Sequence, residues 1–383
     1  MLAVASSSLR IFTFRKGLST CVRTLYGSAR LGVDSYVQKR EKLALQMANS
    51  KEEFYSRMTG FAEGREALVT AGDLNQMLHL ATADEQDQSL LQRMLTRYHS
   101  ESSGLRFNKF VFGPVVMRMY WHLGLADRAL QAFNDPALTG FFDQLSSFVL
   151  LQDLLYRQGR YQEVLDTMEQ VMQRQVQGAR HPIDCIVLTL AACYQMNSAA
   201  SYEYSRSLLA RLHAVGHVVS RRAVSLAAAL ALRRGEPQEA LAMLQPRTDT
   251  DRAIPRDLLA MSLAELGRPS PAVDTLQGPL LLDLPQHVRE ATSVTQDAMD
   301  SVEAAVQKKN DAEITSKWKK VKQGLESYGL VKGLSLQEVL TKEITYRRNT
   351  GQNRRPNELG ASFNRGRRPE RPALRPGLKD MVD

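Results

Sequence analysis

The stretch "LLYRQGRYQEVLDTMEQVM", residues 154–172, decides the fold. An apolar run of helical period halts at Gly159. Val164-Leu165 then opens a second run, five and six residues past the glycine. Glycine enters the left-handed region without steric cost, so it is the natural end of one helix. Glu163 places negative charge near the start of the next, where the helix dipole favours it.

The arrangement recurs along the chain. "GLADRALQAF" starts at Gly124 with Ala129-Leu130 at the same offsets, and "GEPQEALAML" starts at Gly235 with Ala240-Leu241. "GRPSPAVDTL" starts at Gly267 with Ala272-Val273. Successive markers lie 35, 76 and 32 residues apart, and the long interval is two periods of 38 with its middle marker at Asn197. Asparagine is the usual substitute where a helix ends left-handed. Each unit therefore reads as two antiparallel helices, with a small or β-branched residue where they cross and Leu between the layers. Such a pair cannot bury its apolar face alone, but stacked copies can. The predicted fold is all-α: an α-solenoid of stacked antiparallel helix pairs.

Repeats of this length occur in the tetratricopeptide and pentatricopeptide classes. "SSFVLLQDLLYRQGRYQEVLDTMEQVMQRQV" resembles the pentatricopeptide repeat family: an aromatic early in the first helix, Gly near position 14, and Val164 and Met168 where that pattern has Ala and Phe. The tetratricopeptide signature Trp of the first helix is missing. The likeness covers about residues 35–245, and implies a mitochondrial matrix protein needed for RNA maturation and respiratory-chain function.

The two ends of the chain are unlike its middle. Of the formal net charge of +9, the first thirty residues supply Arg10, Arg15, Lys16, Arg23 and Arg30 with no acid. Rich in Ser and Thr and lacking a long apolar stretch, this segment reads as a mitochondrial presequence, residues 1–30. Arg23 stands at the third position before a cut after Leu25, so maturation is expected near residues 25–30. The other end, residues 346–383, is Arg- and Pro-rich and is expected to be a disordered basic tail. Between them the sequence reads as an N-terminal helical region (31–104), pentatricopeptide-like repeats (105–284) and C-terminal helices (285–345). No apolar run reaches the roughly 18 residues that span a bilayer, so no membrane contact is expected.

Pentatricopeptide arrays that read RNA by a code carry a polar residue near position five of each first helix. Counted back from the markers, those positions are Val115, Leu150, Leu188 and Leu226. Aliphatic side chains cannot hydrogen-bond a base edge. Position two (Phe112, Ser147, Cys185, Ala223) is scarcely better. RNA is therefore expected to be held through phosphates and shape. Three places offer the charge. Arg222 and Arg233, flanked by Arg221 and Arg234, share one face of a predicted helix roughly 16 Å apart. "SKWKKVKQG" sets Lys317, Lys319 and Lys320 around Trp318, either a stacking platform or the buried edge of an amphipathic helix. The tail brings Arg365, Arg367 and Arg368.

No phosphate-cradling glycine loop and no nucleophile elbow is present. "HAVGH" has the spacing of a zinc pair at His213 and His217, but lacks the Glu of the metalloprotease motif and is broken by Gly216. Cys185 and Cys193 sit in one apolar run and read as core thiols. The expected protein is not an enzyme and takes no cofactor, metal or small-molecule substrate. Two functions remain: a matrix RNA-maturation factor whose partners are mitochondrial RNA and other RNA-processing or ribosomal proteins, or a protein–protein scaffold or ribosome-associated assembly factor.

Overall fold

The computed structural model describes residues 24–63, 69–102, 110–178, 180–245, 252–281 and 292–344. After a short turn of helix, α1 (Ser28–Leu31), come α2 (Val33–Gln46) and α3 (Lys51–Glu63). Seven helix pairs follow. They are α4 (Ala71–Leu80) with α5 (Glu85–Ser102), α6 (Gly113–Leu123) with α7 (Ala126–Asn134), and α8 (Leu145–Arg157) with α9 (Tyr161–Arg174). Next are α10 (Ile183–Met196) with α11 (Ala199–Ala214), α12 (Arg221–Arg233) with α13 (Pro237–Leu244), and α14 (Ala253–Glu265) with α15 (Pro269–Leu281). The last pair is α16 (Gln296–Lys309) with α17 (Ala312–Ser327), and a one-turn helix α18 (Leu336–Leu340) closes the described chain. Each first helix packs on the first helix of the next pair, from α4 through to α16. This is the expected helical-repeat solenoid. No helix among the described residues is long and apolar enough to cross a membrane.

Every turn marker read from the sequence is a left-handed helix end. Gly124, Gly159, Gly235 and Gly267 have φ of +71°, +75°, +76° and +70°, and Asn197 has φ +45°. At the glycines the chain closes with the double bond pattern that satisfies two orphan carbonyls. At Gly159, for instance, Arg160 N–H reaches Leu155 O at 3.0 Å and Gly159 N–H reaches Tyr156 O at 3.1 Å. Five residues on, Ala129, Val164, Ala240 and Ala272 are fully buried where the helices cross. The Asn197 unit departs from the pattern: Ser198 and Ser201 form a reciprocal cap, and the Ser201 hydroxyl donates to Cys193 O at 3.2 Å. Ser201 and Ser205 are the small buried residues there.

Asn310, with φ +52°, turns α16 into α17 in the manner of Asn197. Val294-Thr295 pairs in parallel with Val331-Lys332, tying the two ends of that last hairpin. Beneath the first of these strands lies a buried ion pair on α14. Arg256 donates to Asp257 at 3.1 Å and to Ser293 O at 2.9 Å, and Asp257 accepts Thr295 N–H at 2.8 Å.

The first and last described segments, residues 24–31 and 335–344, run onto the face made by the first helices. Residues 24–30, which the sequence reading places in the leader, include packed side chains: Leu25 and Tyr26 are 0% and 1% exposed, while Ala29 and Arg30 are exposed. The expected boundary at residue 30 therefore falls inside a docked segment. The C-terminal end, residues 335–344, comes back along the same face, and Ile344 N–H donates to Leu25 O at 2.9 Å. The expected tail, 346–383, and residues 1–23 lie outside the described residues.

Candidate nucleic-acid interface

The positions where a coded array reads bases are closed. Leu150, Leu188 and Leu226 are 1%, 0% and 0% exposed, and Val115 is half-buried. The alternative position-two residues Phe112, Ser147, Cys185 and Ala223 are buried as well. Much of this face is covered by the chain itself. The N-terminal arm crosses α6, α8 and α10. Arg118 of α6 donates from Nε to Leu31 O at 2.9 Å. At the start of α10, Asp184 accepts Arg30 through both oxygens at 2.7 and 2.9 Å, and the Tyr26 hydroxyl at 3.1 Å. Between them, Asp153 of α8 is fully buried and receives Trp121 Nε1–H at 2.8 Å. Burial pushes its carboxyl up to about 6.

The C-terminal strap, residues 335–344, covers α12, α14 and α16. Arg222 and Arg233 do share a face of α12, and that face is turned to the strap. Arg222 donates to Val339 O at 3.0 Å and to Lys342 O. Burial holds its guanidinium below the usual arginine range. Arg233 lies over the Tyr194 ring at 4.0 Å and donates to Gln337 Oε1 at 2.9 Å. Asp297 of α16 accepts Leu336 N–H at 2.8 Å. A cleft of about 270 Å³ remains beside the strap, bordered by Tyr194, Arg233, Met261, Glu265 and Gln337. Arg221 is exposed at the first residue of α12, and Arg234 donates to Asn197 O at 3.4 Å.

The lysine cluster divides along the helix period. Trp318 is 3% exposed and packs in a second core with Val302, Val321 and Leu325, so its ring offers no stacking platform. Of the two readings of this segment, the structure has the amphipathic edge. Lys317 pairs with Asp274, whereas Lys319 and Lys320 are exposed. The structure thus does not bring Arg222, Arg233 and the lysines together on one open surface. Arg365, Arg367 and Arg368 lie outside the described residues.

Cys185 and Cys193 are buried, free thiols, and burial raises both; Cys193 is pushed up to about 12. His217 lies beside His181, ring centres 5.9 Å apart, and His213 is exposed.

Sequence reasoning missed the two covering segments. Their contacts join residues far apart in sequence, more than a hundred positions for Arg30 with Asp184 and for Arg222 with Val339. The one local sign was the capping box Ser335–Glu338, which marks a helix start but not where the helix docks.

Stacked antiparallel helix pairs with left-handed turns define a helical-repeat protein whose first-helix face is partly occupied by residues 24–31 and 335–344. No family model matches the chain. It is similar to pentatricopeptide repeat-containing protein 2, mitochondrial: 27% identical to that of Xenopus laevis over 312 residues, 79% of this chain and 78% of the relative. The Danio rerio protein of that name is 28% identical over 303 residues, 76% of this chain and 78% of its own. The Homo sapiens protein is 28% identical over 208 residues, 54% of this chain and 52% of its own.

Proposed function

We propose that the chain is a non-enzymatic factor of the mitochondrial matrix that binds RNA during its maturation, and so serves the respiratory chain. It holds transcripts through phosphate contacts, and partner RNA-processing or ribosomal proteins perform the chemistry. The carrying observation is the division of surface: aliphatic residues, buried or half-buried, at the base-reading positions, and cationic charge outside them. Phosphate contact falls to Arg221, Arg234, Lys319, Lys320 and the tail arginines Arg365, Arg367 and Arg368. Arg222 and Arg233 contribute only where the strap is displaced. The names of the relatives support the mitochondrial setting.

A second reading, a protein–protein scaffold, is favoured by the same closed face, which offers no base a partner. Ultraviolet crosslinking in intact mitochondria, followed by sequencing of bound RNA, separates the two. Recovery of mitochondrial transcripts at levels above a crosslinked, non-RNA-binding matrix protein is expected. Recovery at that background level would favour the scaffold.

A further inference from the structure

The sequence reads residues 1–30 as a leader to be removed, yet residues expected at its end are among the most buried of those described. Leu25 is 0% and Tyr26 1% exposed. Their neighbours are specific. Leu25 O accepts Ile344 N–H at 2.9 Å, the Tyr26 hydroxyl reaches Asp184, and the Arg30 guanidinium lies 4.6 Å from the Tyr26 ring while it forks onto that same carboxylate. Gly27 passes so close to Glu343 that an added Cβ would collide with the carboxylate. Two ends of the chain, from opposite termini, are therefore fitted to each other over the first helices.

We propose that the leader-removing cut falls upstream of Leu25, so that Leu25–Gly32 stays in the mature protein as an arm fastened to the C-terminal strap. This rests on the mitochondrial reading above. The reaction is hydrolysis of one backbone amide: a water is consumed, the leader leaves with a carboxylate, and the mature chain gains an α-ammonium. That ammonium needs solvent or a counter-charge. A cut after Leu25 would empty a fully buried leucine site, remove the acceptor of Ile344 N–H and place the new charge on Tyr26. Asp153, whose carboxylate accepts the Tyr26 backbone N–H, would supply that counter-charge, so what this cut costs is the emptied leucine site and the lost acceptor of Ile344 N–H. A cut at residue 30 would strip Asp184 of both its tyrosine and its arginine partner. Only a bond upstream of Leu25 leaves every one of these contacts in place.

The test uses the full precursor, tagged at its C-terminus, expressed in cells and purified from fractionated mitochondria. Its first residue is read by mass spectrometry after chemical labelling of the α-amine. The expected start lies after Met1 and no later than Leu25. A start at Tyr26 or beyond, or at Met1, would overturn the proposal. In parallel, Leu25→Ala in the precursor is expected to lower the melting midpoint of the mature protein by about 3–7 °C, while Leu25→Met leaves it near wild type. An Ala variant that melts like wild type would mean the residue is cut away or idle, and would also overturn it. Absence of the protein from the mitochondrial fraction would instead defeat the mitochondrial reading, an outcome distinct from a misplaced start residue.

Discussion

Gly159 has φ +75°, and a side chain added there would meet nothing within 4 Å. The site therefore asks for glycine on backbone grounds alone. Gly159→Val is expected to cost about 1–2 kcal/mol of stability, the penalty of holding a β-branched residue left-handed. Gly159→Asn, the residue used at the equivalent turn Asn197, should cost less. An unchanged unfolding midpoint for the Val variant would break the repeat register. A second residue-scale consequence concerns Asp153, buried and pushed up to about 6 from an ordinary 3.8. A carboxyl raised on folding is protonated more readily in the native state. Its contribution is thus full below about pH 4 and is lost as pH rises to about 6. Asp153→Asn removes that loss, so its stability relative to wild type should climb across this window and level off above it. Urea denaturation of both proteins from pH 4 to 8 measures the difference; a flat difference would contradict the buried-carboxylate account. The glycine markers were legible in the sequence because a left-handed turn is a local demand. Asp153 was not, because its burial depends on Tyr26 and Trp121, which reach it from distant positions.

At the scale of elements, the helix pairs were legible from period and turn chemistry together. The pair α16–α17 was harder to read, since the residues after Asn310, Thr315 and Ser316, lack the small-residue-plus-Leu pair. On α12 the helix period correctly put Arg222 and Arg233 on one face. What the period could not tell is that a five-residue helix, too short to show any periodicity of its own, lies across that face. Arg222 is expected to act as a fastening rather than as an open RNA contact. Arg222→Gln should remove hydrogen bonds to Val339 and Lys342 and lower stability by about 1–3 kcal/mol. RNA affinity at a temperature well below unfolding should change little. A variant of unaltered stability and sharply weaker RNA binding would restore the arginines of α12 as an open ridge. Trp318 follows the same logic: Trp318→Ala should cost about 3–5 kcal/mol as a core truncation, whereas Trp318→Phe should leave RNA binding intact.

Across the described molecule, the stacked first helices form one face, and residues 24–31 and 335–344 cover part of it. Composition places the basic charge in the terminal segments, and aliphatic residues at the code positions argue against base reading by a modular code. The long-range docking of the two covering segments left only the Ser335–Glu338 capping box as a local trace in the sequence. In the proposed function, RNA is held by its phosphates and not by its bases. The direct measurement is affinity for several unrelated single-stranded RNAs over a series of salt concentrations, for the mature chain and for a chain ending at residue 345. Phosphate-held RNAs should show similar affinities at equal salt and a steep fall with salt. Loss of the tail should weaken all of them alike, with the logarithmic salt slope reduced by roughly 0.7 for each phosphate contact removed. Strong preference for one RNA at equal salt, retained without the tail, would mean that bases are read and would contradict the proposed function.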